Sequence, residues 1–239
     1  MCATCGCSDN ATLTDHTHTH DHAHDHVVPL EQRVLARNDE VAARNRTWFT
    51  EHGVLAVNLM SSPGSGKTTL LTRTITRLRD RLPVSVVEGD QETDVDADRI
   101  RATGRPVVQV NTGTGCHLDA TMVDSAVRTL APVDRSVVFV ENVGNLVCPA
   151  LFDLGESARV VIMSVTEGAD KPLKYPHMFR TADLVVLNKI DLLPYVDFDP
   201  TAFAAHLARV LPDPNVIPVS ATRGDGMADW IQWIEQRIH

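Results

Sequence analysis

The chain has 239 residues, 43% of them hydrophobic, with a formal net charge of −9, 11 histidines and five cysteines. That length suits one medium α/β domain with an appended tail, and the hydrophobic share suffices for a sizeable core. The acidic balance argues against a nucleic-acid surface, which needs clustered Lys and Arg, and no apolar run approaches the ~20 residues of a membrane span.

The opening MCATCGCSDN and the HTHTHDHAHDH tract behind it lack helix or strand periodicity. Residues 1–28 are therefore expected to be a Cys/His-rich metal-binding tail, disordered until metal binds. The stretch also lacks an apolar h-region, so no secretory signal is expected. The expected location is then cytoplasmic, where reduced thiols bind metals or react rather than pair. His16, His18, His20, His22, His24 and His26 fall at every second position, so an extended chain lines them on one edge. That spacing suits low-selectivity metal storage, and the interleaved Thr, Asp and Ala are unlike an engineered tag.

Residues 29–52 carry apolar positions at Leu30, Val34, Leu35, Val41 and Trp48, which predicts a helix ending near Gly53. From 53 to 239 strand and helix patterns alternate. VLAVNLMSS, PVSVVEG, PVVQVN, SVVFVEN, ARVVIMSV, ADLVVLN and NVIPVS read as strands. Helices are expected at 66–81, in VDADRIRATG, and at 117–130, 173–181, 201–211 and 226–237. Near-continuous β-branched runs between helices predict an α/β P-loop NTPase fold, a mostly parallel sheet covered on both faces.

SSPGSGKTTLL follows the first strand and opens a helix, the context that a phosphate-binding loop requires. Pro63, Gly64, Ser65, Gly66, Lys67, Thr68 and Thr69 are its candidate nucleotide-binding residues. The glycines let backbone N–H groups converge on anionic oxygens at a helix N-terminus. Lys67 is expected to reach the β- and γ-phosphates, and the Thr68 hydroxyl to ligate Mg²⁺. Ser61 stands where the G-x-x-x-x-G-K-[ST] pattern has its first glycine, a departure that bears on fine geometry rather than on the lysine.

NKID at 188–191 follows the strand ADLVVLN. The Asp191 carboxylate can accept two hydrogen bonds from guanine, whereas adenine lacks that donor pair. Asn188 is expected to brace the loop and the Lys189 stem to lie along the base. Ser220, Ala221 and Thr222, after the last strand, are expected to complete the base pocket through backbone N–H groups. Three motifs in order at strand ends point to a guanine nucleotide, GTP.

Two acidic stretches lie between these motifs. EGDQETDVDAD at 88–98 follows the second strand, with Asp90 and then Asp96 as the Mg²⁺-shell or water-positioning candidates. ENVG at 141–144 occupies the place of D-x-x-G, with Glu141 expected to hold Mg²⁺ through water and Gly144 to offer its N–H to the γ-phosphate. Lys67, Thr68, Asp90, Asp96 and Glu141 form the expected catalytic set. Cys148 follows in that second switch, and Cys116 with His117 sit where a strand gives way to a helix. A cysteine at a helix N-terminus has a lowered pKa, and its thiolate suits Zn²⁺ or Ni²⁺. These are three ligands where a tetrahedral site needs four, so water or a second subunit must supply the last. The plainer alternative is a small buried thiol and a helix-end histidine.

The combination resembles the hydrogenase nickel-incorporation GTPases, the HypB family of SIMIBI-class P-loop GTPases. MCATCGC matches that family's C-x-x-C-G-C nickel motif and the His tract its metal-storing insert. SSPGSGKTTLL, EGDQETDVDADRI, GTGCHLDA, ENVGNLVCPA, EGADKPLKYP and NKIDLLP match its other blocks. The resemblance implies tight Ni²⁺ binding at Cys2, Cys5 and Cys7, with the α-amine as a possible fourth ligand. It further implies a Zn²⁺ or Ni²⁺ site at Cys116, His117 and Cys148, and GTP-dependent homodimerisation. The implied partners are the HypA accessory protein and the [NiFe]-hydrogenase large subunit, with no nucleic acid or membrane. The function implied is a GTP-hydrolysing nickel metallochaperone that inserts Ni²⁺ during hydrogenase maturation. No Arg finger or water-positioning Gln is evident, so slow turnover is expected. Lys171 or Lys174 either reaches a nucleotide across the dimer or serves a plain surface role. The alternatives are a urease-type nickel GTPase, a metal-storage protein with a vestigial nucleotide site, and an ATP-using kinase. The last is disfavoured by Asp191, and the N-terminal motif with the separated Cys-His/Cys set counts against the first.

Overall fold

The computed structural model describes residues 24–90, 95–113 and 115–238, with side chains from residue 32 onward. Cys2, Cys5, Cys7, His16, His18, His20 and His22 lie outside the described residues. A first helix, α1, runs from His24 to Glu51. It begins earlier than the residue 29 expected, so His24 and His26 belong to this helix and not to an extended tail. The helix stops at Gly53 (φ 60°), where Gly53 N–H reaches the Thr50 carbonyl and Val54 N–H that of Phe49. That paired closure needs a left-handed residue, which glycine supplies without strain.

Seven strands follow: β1 (Leu55–Ser61), β2 (Val84–Asp90), β3 (Val107–Asn111), β4 (Val137–Glu141), β5 (Ala158–Ser164), β6 (Leu184–Asn188) and β7 (Val216–Pro218). They form one sheet in the order β3-β2-β4-β1-β5-β6-β7, with every pairing parallel. The connecting helices are α2 (Lys67–Leu78), α3 (Val95–Arg101), α4 (Ala120–Leu130), α5 (Cys148–Leu151), α6 (Lys171–Lys174), α7 (Pro176–Arg180), α8 (Pro200–Ala208) and α9 (Met227–Glu235).

The residues of β1 alternate between two cores. Leu55, Val57 and Leu59 pack with Leu70, Leu71 and Ile75 of α2 and Trp230 and Ile234 of α9. Ala56 turns to the other face, among Phe49 of α1 and Val123 and Val127 of α4. Burial on both faces explains why this strand is apolar apart from Asn58 and the terminal Ser61. A third cluster joins Val161, Met163 and Val185 to Met178 and Phe179 of α7 and Phe203 of α8. No helix among the described residues is long and apolar enough to cross a membrane.

Three local differences from the sequence reading have physical causes. The helix expected at 173–181 is two short ones, because Pro176 lacks the N–H that a helix continuing from α6 needs there and instead opens α7. The helix expected from 117 starts at Ala120, since the Asp119 side chain caps it by accepting from Met122 N–H at 2.8 Å. Cys116 therefore sits in a loop ahead of the cap and not at the helix N-terminus. Cys148 instead opens a short helix, α5, that periodicity did not signal.

Candidate functional site

Parallel sheets present ligand sites beyond the carboxyl ends of their strands. Here a cleft of about 510 Å³ opens beyond β1, β2 and β4. Its walls include every residue from Ser61 to Thr69, together with Glu88, Asp90, Asp96, Arg99, Glu141, Gly144 and Lys189. Gly64 and Gly66 both have positive φ, 76° and 91°. A Cβ on Gly66 would meet Asn188 Nδ2 at 2.6 Å, so this loop and the NKID segment leave no room for a side chain. Ser61 closes β1 as its last residue and does not take a positive φ. A serine is therefore accommodated where the motif has glycine.

No side chain caps the start of α2, and its first turn carries no acidic residue. The helix end is thus open to an anion. Lys67 Nζ donates to the Asn142 carbonyl at 2.6 Å and lies 3.6 Å from Glu141 Oε1. Thr68 Oγ1 donates to that same Glu141 oxygen at 2.6 Å. Glu141 Oε2 is buried without a hydrogen-bond partner among the described residues. Burial raises the Glu141 carboxyl above its ordinary range, against the lowering effects of Lys67 and Thr68. A hydroxyl beside carboxylate oxygens is the hard oxygen-donor chemistry that Mg²⁺ takes, so these residues fit the ion. Asp90 ends β2 and Asp96 lies in the first turn of α3, both on the cleft, with Arg99 3.4 Å from Asp96. Residues 91–94 of the acidic stretch lie outside the described residues.

The NKID segment is wired to the phosphate loop. Asn188 Nδ2 donates to the Ser65 carbonyl at 2.9 Å, and Lys189 Nζ to that of Gly64 at 2.7 Å. Asp191 accepts from the Ser220 hydroxyl at 2.6 Å, and the Thr222 hydroxyl lies 3.3 Å from that of Ser220. Ser220 N–H is engaged by the Asp225 carbonyl and Ala221 N–H by Asn188 Oδ1 at 3.2 Å. Both residues are buried, where N–H groups must find partners.

A second constellation lies nearby. The ligand atoms of Cys116, His117 and Cys148 all fall within 4.8 Å of one another. Cys116 Sγ is 3.8 Å from His117 Nδ1, and the His117 ring stacks on Phe152 with centroids 3.9 Å apart. Burial lowers the His117 imidazole below its ordinary pKa, with Asp119 opposing, which favours the neutral ring that metals bind. Asn145 Oδ1 accepts from the N–H groups of Val147 and Cys148 at 2.7 and 3.4 Å and so fixes the start of α5.

The two constellations share Asn142, which is fully buried. Its carbonyl holds Lys67, and its Oδ1 accepts from Leu118 N–H at 3.1 Å and from its own neighbour Val143 at 3.0 Å. Its Nδ2 reaches Asn58 Oδ1 at 3.3 Å. Sequence reasoning missed this residue and Glu88. The signal for Glu88 was present: it lies two residues before Asp90 in a strand, which places both on one face. Lys171 and Lys174, considered for a reach across a dimer, are paired within this chain to Glu167 at 3.3 Å and Asp170 at 2.7 Å. Glu167 also accepts from the Ser62 hydroxyl of the phosphate loop.

Residues 55–218 match the family model described as CobW/HypB/UreG, nucleotide-binding domain. The chain is 57% identical over 220 residues to the hydrogenase maturation factor HypB of Azotobacter chroococcum mcd 1, covering 92% of this chain and 72% of that one. Among solved structures, a hydrogenase maturation factor HypB from Archaeoglobus fulgidus superimposes with a TM-score of 0.80 at 38% identity, covering 86% of this chain and all of that one. HypB from Helicobacter pylori, in complex with nickel, gives 0.78 at 35% identity, with coverages of 84% and 94%.

Proposed function

The chain belongs to the CobW/HypB/UreG nucleotide-binding family and, within it, to the HypB hydrogenase maturation factors, and on that premise we propose that it is a GTP-driven nickel metallochaperone. In this reading it binds Ni²⁺ and inserts it into the [NiFe]-hydrogenase large subunit in the cytoplasm, working with the accessory protein HypA. The observation that carries the reading is the Cys116–His117–Cys148 cluster joined through Asn142 to the phosphate-loop lysine. A thiolate–imidazole set is the chemistry that selects Ni²⁺ or Zn²⁺ over Mg²⁺. The nickel complex of the Helicobacter pylori relative supports nickel as the cargo.

GTP is held with its phosphates against the backbone of Pro63–Thr69 and its base over Asn188, Lys189 and Asp191. Lys67 gives up the Asn142 carbonyl for the β- and γ-phosphate oxygens. Thr68, Glu141, Asp90 and Asp96 hold or orient the Mg²⁺ shell, and Mg²⁺ supplies charge neutralisation at the phosphates. Asp90 or Asp96 orients the attacking water. Attack at the γ-phosphorus breaks its bond to the β–γ bridging oxygen, giving GDP and phosphate. The 141–148 segment then relaxes, and the geometry at Cys116, His117 and Cys148 changes with it. GTP favours a homodimer, which offers the cluster a fourth ligand. Turnover is slow, as suits a timer. Cys2, Cys5, Cys7 and the His tract collect the ion upstream of this site.

Steady-state hydrolysis of GTP by the full chain, with excess ATP as competitor and with or without Ni²⁺, tests the reading. Slow GTP hydrolysis that ATP does not inhibit is expected, with a rate that responds to Ni²⁺. Absence of hydrolysis, or equal competition by ATP, contradicts it.

A further inference from the structure

Glu88 is a buried carboxylate that the sequence reading does not use. It lies on β2 directly in register with Glu141 on β4, and both residues are only 2% exposed. Both line the cleft beside Lys67, Thr68, Asp90 and Asp96. Each has an Oε2 atom buried without a hydrogen-bond partner among the described residues. Two adjacent buried carboxylates are costly, and Lys67, 3.6 Å from Glu141, lines the same cleft.

The same chain shows how it treats a buried glutamate whose task is structural. Glu156, 7% exposed, accepts from Arg159 Nε at 2.6 Å, Leu154 N–H at 2.7 Å and Asn58 Nδ2 at 3.1 Å. Its charge is matched and both oxygens are used. Among the described residues no such set of partners surrounds Glu88, whose Oε2 is buried without one. A carboxylate kept in the cleft wall with an oxygen unspent is poised for a ligand that arrives later. Its position beside Glu141 and Thr68 makes that ligand a hydrated hard cation.

We propose that Glu88 is a positioning residue for Mg²⁺, its Oε2 accepting from the ion's bound water alongside Glu141, so that the Mg²⁺ requirement of nucleotide binding depends on it. The proposal rests on reading the cleft as a guanine nucleotide site. It makes a signed prediction. With Mg²⁺ present Glu88 helps nucleotide binding, and without Mg²⁺ it gives the nucleotide no favourable contact.

The test is binding of fluorescent GDP and of a non-hydrolysable fluorescent GTP analogue to the full-length chain, across a Mg²⁺ titration and in EDTA. In Glu88→Gln the Mg²⁺ concentration for half-maximal binding is expected to rise about tenfold, the size of one charge-assisted hydrogen bond. In EDTA the same variant is expected to bind nucleotide as tightly as the parent. Glu88→Asp, which keeps the charge, should shift the Mg²⁺ midpoint less. Glu156→Gln should lower the melting temperature and leave the midpoint in place. An unchanged midpoint in Glu88→Gln overturns the proposal, as does equal weakening with and without Mg²⁺, the mark of a structural role. If the parent chain binds no guanine nucleotide at any Mg²⁺ concentration, the nucleotide reading fails and takes this inference with it. Normal Mg²⁺-dependent binding by the parent with an unmoved Glu88→Gln overturns this inference alone.

Discussion

The ε-ammonium of Lys67 donates to the backbone carbonyl of Asn142 at 2.6 Å, and the Asn142 side chain in turn accepts Leu118 N–H at 3.1 Å. One buried residue thus touches the lysine at the start of α2 through its main chain and the neighbour of His117 through its side chain. Phosphates that recruit Lys67 remove one of these contacts and leave the other. Asn142 also begins the stretch of chain that joins Glu141 to Cys148.

Removing the side-chain half of that contact should loosen the connection. In Asn142→Ala the ratio of Ni²⁺ affinities between GDP and GTP-analogue states should shrink toward unity, from a coupling of about 5–150-fold for a linked pair of sites. The Leu118 and Val143 N–H groups lose their acceptor, so stability should fall by about 1–3 kcal/mol. Isothermal titration in both nucleotide states and a denaturant melt check the two halves. A preserved ratio in a folded variant would contradict the role assigned to Asn142.

Base choice should follow Asp191. Asp191→Asn replaces an acceptor pair with one donor and one acceptor, which mismatches guanine and matches xanthine. GTP affinity should fall by about 100-fold or more, and xanthosine triphosphate should recover much of the loss. Competition binding with the two triphosphates measures it.

Glu88 should give the ligand-free protein a pH-dependent stability. Burial, with Glu141, Asp90 and Asp96 adding and Lys67 opposing, pushes its carboxyl from 4.5 up to about 8. Between those values the folded chain keeps a proton that the unfolded chain has released, so the unfolded state binds fewer protons and stability falls with rising pH. The contribution is fully present below 4.5 and is lost as pH rises through about 8. Melting temperatures of metal- and nucleotide-free protein should therefore decline across that window, and Glu88→Gln should flatten the decline. Parallel curves for the two proteins would contradict this.

A purely structural prediction lies on the other side of α2. The Trp230 indole N–H donates to Thr74 Oγ1 at 2.7 Å, with both residues buried. Thr74→Val keeps the shape and orphans that N–H, so stability should fall by about 1–3 kcal/mol. Nucleotide affinity should stay within about twofold of the parent, as contacts beyond the cleft carry little coupling. Chemical denaturation and nucleotide titration separate the two effects.

The strands and the phosphate loop were legible because each leaves a local imprint: unbroken β-branched runs for doubly covered strands, and glycines where the loop turns left-handed. Cys116, His117 and Cys148 were also found from sequence, by residue type and motif. Their closeness is a tertiary fact, created where the segments that follow β3 and β4 meet beyond the end of β2. Helix ends were read less well. Asp119 outcompeted residue 117 as a cap, and Pro176 divided the helix expected at 173–181. Glu88 and Asn142 escaped because their significance comes from register. Glu88 matters only once β2 lies beside β4, and Asn142 only once Leu118 is folded against it.

The central claim is that nucleotide state and cation binding at Cys116, His117 and Cys148 are linked through the 141–148 segment. The most direct measurement is titration of Ni²⁺ and Zn²⁺ into the chain with Cys2, Cys5 and Cys7 replaced by serine, in nucleotide-free, GDP-bound and GTP-analogue-bound forms. The account predicts dissociation constants that differ by at least about fivefold between the GDP and GTP-analogue forms, with the difference abolished in Cys148→Ala. Identical constants across all three forms would contradict it.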